Sequence, residues 1–432
     1  MARPGVRLTI LGLLAFAQTM AYYVYLRDDP GNYNGAGAQG DQVAYIALAQ
    51  QVLHGTWDGA VHYMPGLPAV IAIGQVVFGD PRLGIAVIHG LLYALLVFGA
   101  ARLAATSFGS GTAVAAGAAV ALNPAMGYYA AQALTELLTG VVLVAVVAAC
   151  ALASGWPRAV LLGLLIAAAG YLRAEYLALA LVFALILVAV GRSRASVLHA
   201  ALVLVVTAAC MAPWVARYTL MTGRPSLYNE SPFTNLVLMG TWFRVFDEQT
   251  FSELQRIESL PGPREQAIDQ ASRVGPRADL SRRYMEQVRG PYERPLDETL
   301  QLASDNIRLN ARQYVINHAL LAPVLIWAGH TPVRQADTPS LPSAARYAIW
   351  AAELALLLLA LWQALLAVFD RATLALGLSF LAIVLFVSAV HVVIAVDERF
   401  TTPALPLIGL FAGARLALLS TAGKRLAVGY AT

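Results

Sequence analysis

Ten long apolar runs constrain the fold of this 432-residue chain more than any other feature. A helix of about 20 apolar residues spans the hydrocarbon core of a bilayer, and somewhat shorter runs are tolerated. Charged residues make up 12% of the chain, well below the roughly 25% of an average soluble protein. The sequence therefore predicts an all-α polytopic membrane protein. The predicted spans are residues 6–26, 83–105, 112–127, 137–153, 159–174, 176–191, 196–216, 345–369, 373–395 and 401–419.

The positions of the basic residues predict the orientation of these helices. Cytoplasmic turns of membrane proteins carry an excess of Lys and Arg. With Arg3 and Arg7 inside, the basic turn at residues 192–194 also lies inside if the short apolar segment 67–78 does not cross the membrane. We therefore expect residues 67–78 to form a juxtamembrane helix. The first apolar run continues beyond the cleavage-like sequence Ala15–Ala17, so we expect an uncleaved first helix with a cytoplasmic N-terminus.

The same topology places the most polar stretches on the outer face of the membrane. Of the 54 charged residues, 23 lie between Arg244 and Arg312, which indicates a solvated outer subdomain. The predicted organisation is a membrane module of residues 1–216 with its first outer loop at 27–82, an outer subdomain of residues 217–344, and C-terminal spans in residues 345–432.

Asp41 stands at the head of a predicted amphipathic helix in the first outer loop. Tyr45, Leu48 and Val52 recur at helical spacing behind it. The helix dipole and the free backbone N–H groups at a helix start favour an ionised carboxylate. A carboxylate held at the outer membrane surface is suited to catalysis, and the alternative is that Asp41 only caps the helix.

Several polar motifs occur in a characteristic order along the chain. They are Gly40–Tyr45, the His-x-x-Pro-Gly-x-Pro sequence His62–Pro68, the acid Glu136, the Pro-Trp-x-x-Arg sequence Pro213–Arg217, and Glu398–Phe400 followed by two prolines. This order resembles the membrane glycosyltransferases of the GT-C superfamily, with most similarity to the group of protein O-mannosyltransferases and lipid A aminoarabinose transferases. The resemblance implies a GT-C-like bundle of about ten spans with outer-face juxtamembrane helices.

The resemblance also implies an activity. In that superfamily the acid of the first loop is the catalytic carboxylate, and the matching residue here is Asp41. The implied enzyme is an inverting glycosyltransferase of the bacterial inner membrane, with its active site facing the periplasm. Its donor is a polyprenyl-phosphate-linked sugar, and its acceptor is a hydroxyl group of a lipid, a glycan or a protein. A carboxylate near the acceptor hydroxyl can take its proton during attack.

Arginines on the outer face are candidates for binding the leaving phosphate, because a guanidinium group binds phosphate oxygens in bidentate fashion. The candidates are Arg173, Arg217 and Arg399. Arg173 can instead form a structural ion pair with Glu175, and Arg217 can simply mark the membrane interface. The alternative for Arg399 is a local salt bridge with Glu398.

Three further residues belong to the site that the resemblance implies. Glu136 corresponds to the second-loop acid, where many relatives have Asp; its alternative role is a charge at a helix N-terminus. His62 and Tyr45 are expected near the acceptor, and the alternative for His62 is an ordinary hydrogen-bonded histidine. Asp41 and Glu136 are candidate ligands of a divalent cation, Mg²⁺ or Mn²⁺.

The remaining features bear on competing functions. The formal charge of +4 does not indicate nucleic acid as a partner, and the surrounding partners are membrane lipids. Glu353 lies inside a predicted span, where an acid should face a cavity or a partner and not lipid. A transporter or flippase of a lipid-linked substrate needs polar groups along a path through the bilayer, whereas here they gather at one end. An O-antigen ligase or polymerase would instead carry its catalytic groups in residues 244–312.

Overall fold

The computed structural model describes residues 4–27, 40–57, 63–223, 225–227, 231–291, 294–333, 340–394 and 396–429. Within these ranges the chain forms helices and no strand. The first ten helices are α1 (Pro4–Leu26), α2 (Asp41–His54), α3 (Gly66–Phe78), α4 (Pro81–Phe108), α5 (Ala113–Ala121), α6 (Pro124–Ala130), α7 (Glu136–Leu152), α8 (Gly155–Leu172), α9 (Leu179–Gly191) and α10 (Arg194–Thr222). The others are α11 (Ser231–Gly240), α12 (Glu248–Ser259), α13 (Arg264–Ala271), α14 (Ala278–Val288), α15 (Leu296–Leu309), α16 (Ala311–Ile316), α17 (Ala322–Ala328), α18 (Ser343–Val368), α19 (Leu374–Ile394) and α20 (Leu405–Gly429).

Eight helical stretches in the described part of the chain are long and apolar enough to cross a membrane. They contain α1, α4, α8, α9, α10, α18, α19 and α20. Two other predicted spans correspond to the shorter apolar helices α5 and α7, the second of which has 17 residues. The prediction of an all-α polytopic membrane protein is confirmed.

The predicted span at residues 112–127 is wrong as a single helix. The chain leaves the helical conformation after Ala121 and starts again at Pro124. Asn123 has extended backbone angles, and its side chain accepts hydrogen bonds from the backbone N–H groups of Ala125 and Met126. A residue before proline is driven out of the α region, and Asn is a favoured helix cap. The Asn-Pro pair therefore ends one short helix and begins the next.

Two compact units make up the chain, and the larger one holds most of the apolar helices. It consists of Met1–Tyr228, Trp327–Val387 and Glu398–Thr432. Within it, α4 packs against α1, α3, α5 and α7. The fully buried Tyr93 of α4 donates a hydrogen bond of 2.7 Å to the carbonyl of Val120, so a polar atom inside the bundle keeps a partner.

Helices α3 and α4 form a tight hairpin because glycines meet at their contact. A Cβ atom built on Gly84 would lie 2.5 Å from the backbone carbonyl atoms of Gly74, closer than any real contact. The two backbones therefore approach to a distance that only glycine permits. Tyr63, Met64 and Pro65 lead directly into this hairpin, and α3 also packs against α2.

We expect Gly84→Ala to lower the free energy of unfolding by about 1–3 kcal/mol, because the added methyl group forces the two helices apart. Thermal or denaturant unfolding in detergent measures the loss. Gly99→Ala is the matched control on the same helix, because a Cβ atom at Gly99 meets nothing within 4 Å. Equal stability of the two variants would contradict the close packing of α3 on α4.

The smaller unit consists of Asn229–Ile326 and Ser388–Asp397. Helices α12, α13 and α14 surround a core that contains the buried side chains of Trp242 and Tyr284. The buried Asn306 of α15 donates to Thr241 at 2.9 Å and to Gln287 at 2.8 Å. Hydrogen-bonded polar groups of this kind specify one packing arrangement, since an unpaired amide in a core is costly.

Candidate functional site

Four charged side chains of the larger unit come together from the ends of four helices. Asp41 is the first residue of α2, and Glu136 is the first residue of α7. Arg173 directly follows α8, and Arg399 lies in the 3-10 turn Glu398–Ala404 that leads into α20. All four are site residues that the sequence predicted. The structure joins them in a row of ion pairs, in which Asp41 contacts Arg399, Arg399 contacts Glu136, and Glu136 contacts Arg173.

Asp41 is the accessible carboxylate of this group. Its side chain accepts a hydrogen bond of 2.8 Å from the Tyr63 hydroxyl and pairs through its other oxygen with Arg399. The side chain keeps 30% of its surface exposed, so another molecule can reach it. The helix cap before it is Gly40, and no side-chain capping bond is formed. The structure therefore does not support the interpretation of Asp41 as a simple helix cap.

Glu136 differs from Asp41 because it is sealed from solvent. Its side chain is 0% exposed, and its Oε1 lies 2.9 Å from Nε of Arg399 and 3.8 Å from a terminal nitrogen of Arg173. The same face of α7, one turn further on, carries Gly140, where a Cβ atom would lie 3.1 Å from the carbonyl oxygen of Pro403. Close approach at Gly140 thus brings the turn before α20 against α7 and places Arg399 on Glu136.

Arg173 has two kinds of contact. Its Nε donates to Glu175 at 2.6 Å, which is the structural ion pair that the sequence left as an alternative. Its guanidinium carbon also lies 4.9 Å from the centre of the Phe400 ring, a distance typical of a cation–π contact. With the contact to Glu136, these interactions place Arg173 in the same cluster as Arg399.

Arg399 joins the two carboxylates. It contacts Asp41, which is 358 positions away in the sequence, and Glu136, rather than serving only a local pair with Glu398. One guanidinium group can do this because its planar fork presents donors in two directions. The two carboxylates are thereby held apart by a positive charge.

The other predicted site residues have different places. Tyr45 is 7% exposed, and the centre of its ring lies 4.6 Å from the centre of the Tyr63 ring. Tyr45 therefore packs against Tyr63, the residue that donates a hydrogen bond to Asp41. Arg217 donates to the backbone carbonyl of Trp57 at 3.1 Å and, among the described contacts, makes none with Asp41 or Glu136. His62 lies outside the described residues.

The structure adds two residues to the site that were not predicted from the sequence, Tyr63 and Gln42. Tyr63 belongs to the motif His62–Pro68, but its contact with Asp41 forms only when the chain has folded, because the two residues are 22 positions apart. Gln42 fastens α2 to the segment before α7, because its side chain bonds Gln132 at 2.9 Å and accepts from the backbone of Ala133 at 3.0 Å. No property of the sequence alone pointed to this contact, because the burial of Gln42 is known only from the structure.

The two carboxylates have the donor chemistry of a site for a hard divalent cation. Carboxylate oxygens are the ligands that Mg²⁺ and Mn²⁺ prefer. Within the described part of the chain, Oε2 of Glu136 is buried without a hydrogen-bond partner, which leaves it available as a ligand atom. The described ranges contain no group of three His, Cys, Asp or Glu side chains suited to a metal. The binding of a divalent cation by Asp41 and Glu136 therefore stays a prediction.

Burial alone would raise the pKa of the Asp41 carboxyl, but the Arg399 guanidinium and the Tyr63 hydroxyl together hold this pKa below its ordinary value of 3.8. The pairing of Asp41 therefore contributes stability that is fully present above the pKa of the unfolded chain and is lost as the pH falls through the lower folded value.

We expect the difference in unfolding midpoint between the wild type and Asp41→Asn to stay constant from neutral pH to about pH 4, near the reference carboxyl pKa. The difference should shrink only below that range, because the unfolded chain then takes up a proton at Asp41 while the folded protein does not. Thermal unfolding in detergent across this pH series checks the prediction. A difference that disappears between pH 7 and 5 would show that the Asp41 pKa is raised and not lowered.

Comparison with known proteins finds solved structures of similar fold. Neither a family model nor a curated protein sequence matches the chain. The structure is similar to the crystal structure of the Archaeoglobus fulgidus oligosaccharyltransferase in complex with Zn and sulfate, with a TM-score of 0.51 and 14% identity over 96% of this chain and 49% of that one. It is also similar to ArnT from Cupriavidus metallidurans bound to undecaprenyl phosphate, with a TM-score of 0.40 and 15% identity over 92% of this chain and 77% of that one.

The coverage and the identity of these matches limit the conclusion to the fold. The chain spans about half the length of the oligosaccharyltransferase. At 14% identity the similarity is one of fold, and fold alone does not define an activity. The expectation drawn from the order of the sequence motifs agrees with it. The chain shares its membrane fold with this oligosaccharyltransferase.

Proposed function

We propose that the protein is an inverting glycosyltransferase that moves a sugar from a polyprenyl-phosphate carrier to an acceptor hydroxyl at the outer face of the bacterial inner membrane. One observation carries this proposal above the others. A partly exposed carboxylate, Asp41, is fixed by Tyr63 and Arg399 at the end of the helix bundle where Glu136 and Arg173 also lie. A lipid-linked sugar would present its reactive carbon at the membrane surface, where the proposed topology places this site.

In the proposed reaction Asp41 accepts the hydrogen bond of the acceptor hydroxyl. The hydroxyl oxygen attacks the anomeric carbon, the bond from that carbon to the phosphate oxygen breaks, and its electron pair leaves with the phosphate. The hydroxyl proton passes to the carboxylate as the new glycosidic bond forms. A single displacement of this kind inverts the configuration at the anomeric carbon. Tyr63 keeps the carboxylate in one orientation, which supports catalysis by positioning.

The leaving phosphate requires positive charge, and the cluster supplies it in part. Arg173 and Arg399 are close enough to contact the same Phe400 ring, at 4.9 Å and 5.6 Å, so two guanidinium groups face one region. Asp41, Glu136 and Glu175 place three negative charges against these two positive ones. A divalent cation, if held by Asp41 and Glu136, would offset this excess and bind phosphate oxygens. Arg217 is the other candidate for supplying the missing charge.

The decisive test identifies the product of the reaction and its anomeric configuration. Purified protein in detergent or nanodiscs is incubated with polyprenyl-phosphate monosaccharides that differ in the sugar, together with envelope lipids, glycans and peptides as acceptors. We expect release of polyprenyl phosphate and formation of a glycoside with inverted anomeric configuration, which mass spectrometry and NMR detect. Retained configuration would contradict the proposed single displacement.

Two further results would favour the competing functions. Movement of the lipid-linked sugar across sealed proteoliposomes without a covalent product would identify a transporter or flippase. Loss of activity from alanine substitutions in residues 244–312, with full activity of Asp41→Ala, would indicate a ligase or polymerase with its catalytic groups in that segment.

A further inference from the structure

A buried contact between a histidine and a glutamate lies inside the larger unit, apart from the cluster around Asp41. Glu353 belongs to the membrane span α18, and its Oε1 lies 3.3 Å from Nδ1 of His330. The side chains are 10% and 0% exposed. An ionisable group at membrane depth is costly and is kept when it has a role. The expectation that Glu353 faces a partner and not lipid is confirmed.

A second contact links His330 to the turn that carries Arg399. Nε2 of His330 lies 3.4 Å from the hydroxyl of Thr401, which is fully buried. The Thr401 hydroxyl itself donates to the backbone carbonyl of Glu398 at 2.9 Å. Arg399 is the next residue in the chain. A row of three side chains therefore connects the span α18 with the backbone immediately before Arg399.

The directions of the hydrogen bonds follow from the available protons. Thr401 has one hydroxyl proton, and it is used in the bond to Glu398. Its oxygen can then accept from Nε2–H of His330, and Nδ1 of the same ring lies 3.3 Å from the carboxylate of Glu353. The His330 ring therefore lies between the hydroxyl of Thr401 and the carboxylate of Glu353.

We propose that Glu353 and His330 are positioning residues which, with Thr401, form a buried strut that fixes the turn Glu398–Ala404 and so holds Arg399 against Asp41 and Glu136. Short turns move more easily than packed helices, and the place of Arg399 depends on the backbone of such a turn. The strut ties this backbone to a long span. It acts on the donor site through Arg399, and none of its three side chains contacts Asp41 in the described contacts.

The effect of the strut on donor binding rests on the proposed function, so the first experiment does not use activity. The parent chain carries Cys150→Ala, Cys210→Ala and Glu136→Gln, the last to remove the buried charge that loss of Arg399 would leave unpaired. In this chain the pair D41C and R399C is joined by a short bis-methanethiosulfonate crosslinker, and the rate is measured. We expect H330F, E353Q and T401V each to slow this crosslinking several-fold. T401S retains the hydroxyl and should crosslink at the rate of the parent.

Q363L is the matched control, because Gln363 is another buried polar residue of α18, 10 positions beyond Glu353. It should leave the crosslinking rate unchanged. Equal rates for T401V and T401S, or a Q363L effect as large as that of E353Q, would overturn the proposal. Thermal unfolding of each variant separates a displaced turn from a general loss of structure, because general loss affects Q363L as well.

A second experiment measures binding of undecaprenyl phosphate. Networks that bias a binding element change affinity by about 2- to 30-fold. We expect H330F to weaken binding within this range in the wild-type background and to have no further effect in an R399A background, because the strut acts through Arg399. Additive effects would overturn the role of Arg399 in this coupling. If the wild type does not bind undecaprenyl phosphate but the strut variants still crosslink more slowly, the proposed function is contradicted. The proposal that the strut positions Arg399 is then still supported.

Discussion

Asp41→Asn is expected to lower the turnover number of glycosyl transfer by about 10²- to 10⁴-fold, the range that a positioned general base contributes. The amide keeps the size of the carboxylate but cannot take the proton of the acceptor hydroxyl. The loss should appear mainly in kcat, since the interaction with the proton develops in the transition state. Initial rates with purified donor and acceptor measure the change.

Asp80→Asn is the matched control for this experiment. Asp80 caps α4 by accepting from the backbone N–H groups of Arg82 and Leu83, and Asn is an equally good cap. This variant should therefore keep the turnover of the wild type. A loss of less than about threefold in Asp41→Asn, far below the contribution of a general base, would remove Asp41 from the catalytic role.

Arg399→Leu is expected to destabilise the protein by about 3–5 kcal/mol, the usual cost of removing one partner of a buried ion pair. The reason is Glu136, which has no exposed surface and would keep only the 3.8 Å contact with Arg173 as a charge partner. Asp41 loses the same partner but is 30% exposed, so water compensates it. Unfolding in detergent, followed by the midpoint of a thermal or denaturant transition, measures the loss.

A second substitution tests this explanation. Glu136→Gln removes the buried negative charge, so the double variant E136Q/R399L should regain much of the stability lost in R399L. Arg256→Ala is the surface control: Arg256 and Glu253 are 58% and 41% exposed, and pairs of this kind contribute about 0–1 kcal/mol. No recovery in the double variant would show that Arg399 stabilises the fold through contacts other than the one with Glu136.

The membrane character and most of the helices could be predicted from local sequence. Apolar runs, basic turns and the acid at position 41 are all properties of short stretches. The break between α5 and α6 was missed because the run 112–127 is apolar throughout its first part, and hydropathy does not register the backbone restriction that Pro124 imposes on Asn123. The roles of Arg217 and His62 in the site stay predictions.

Local sequence was enough to predict a helical membrane protein and the acids and arginines near its helix ends, because hydrophobicity and helix capping act over a few neighbouring residues. The position of Arg399 between Asp41 and Glu136, the bond from Tyr63 to Asp41, and the contact of His330 with Glu353 depend on the packed structure. These pairs are set by how helices pack, as at Gly140 and Pro403, and residues 358 positions apart meet only when that packing is complete.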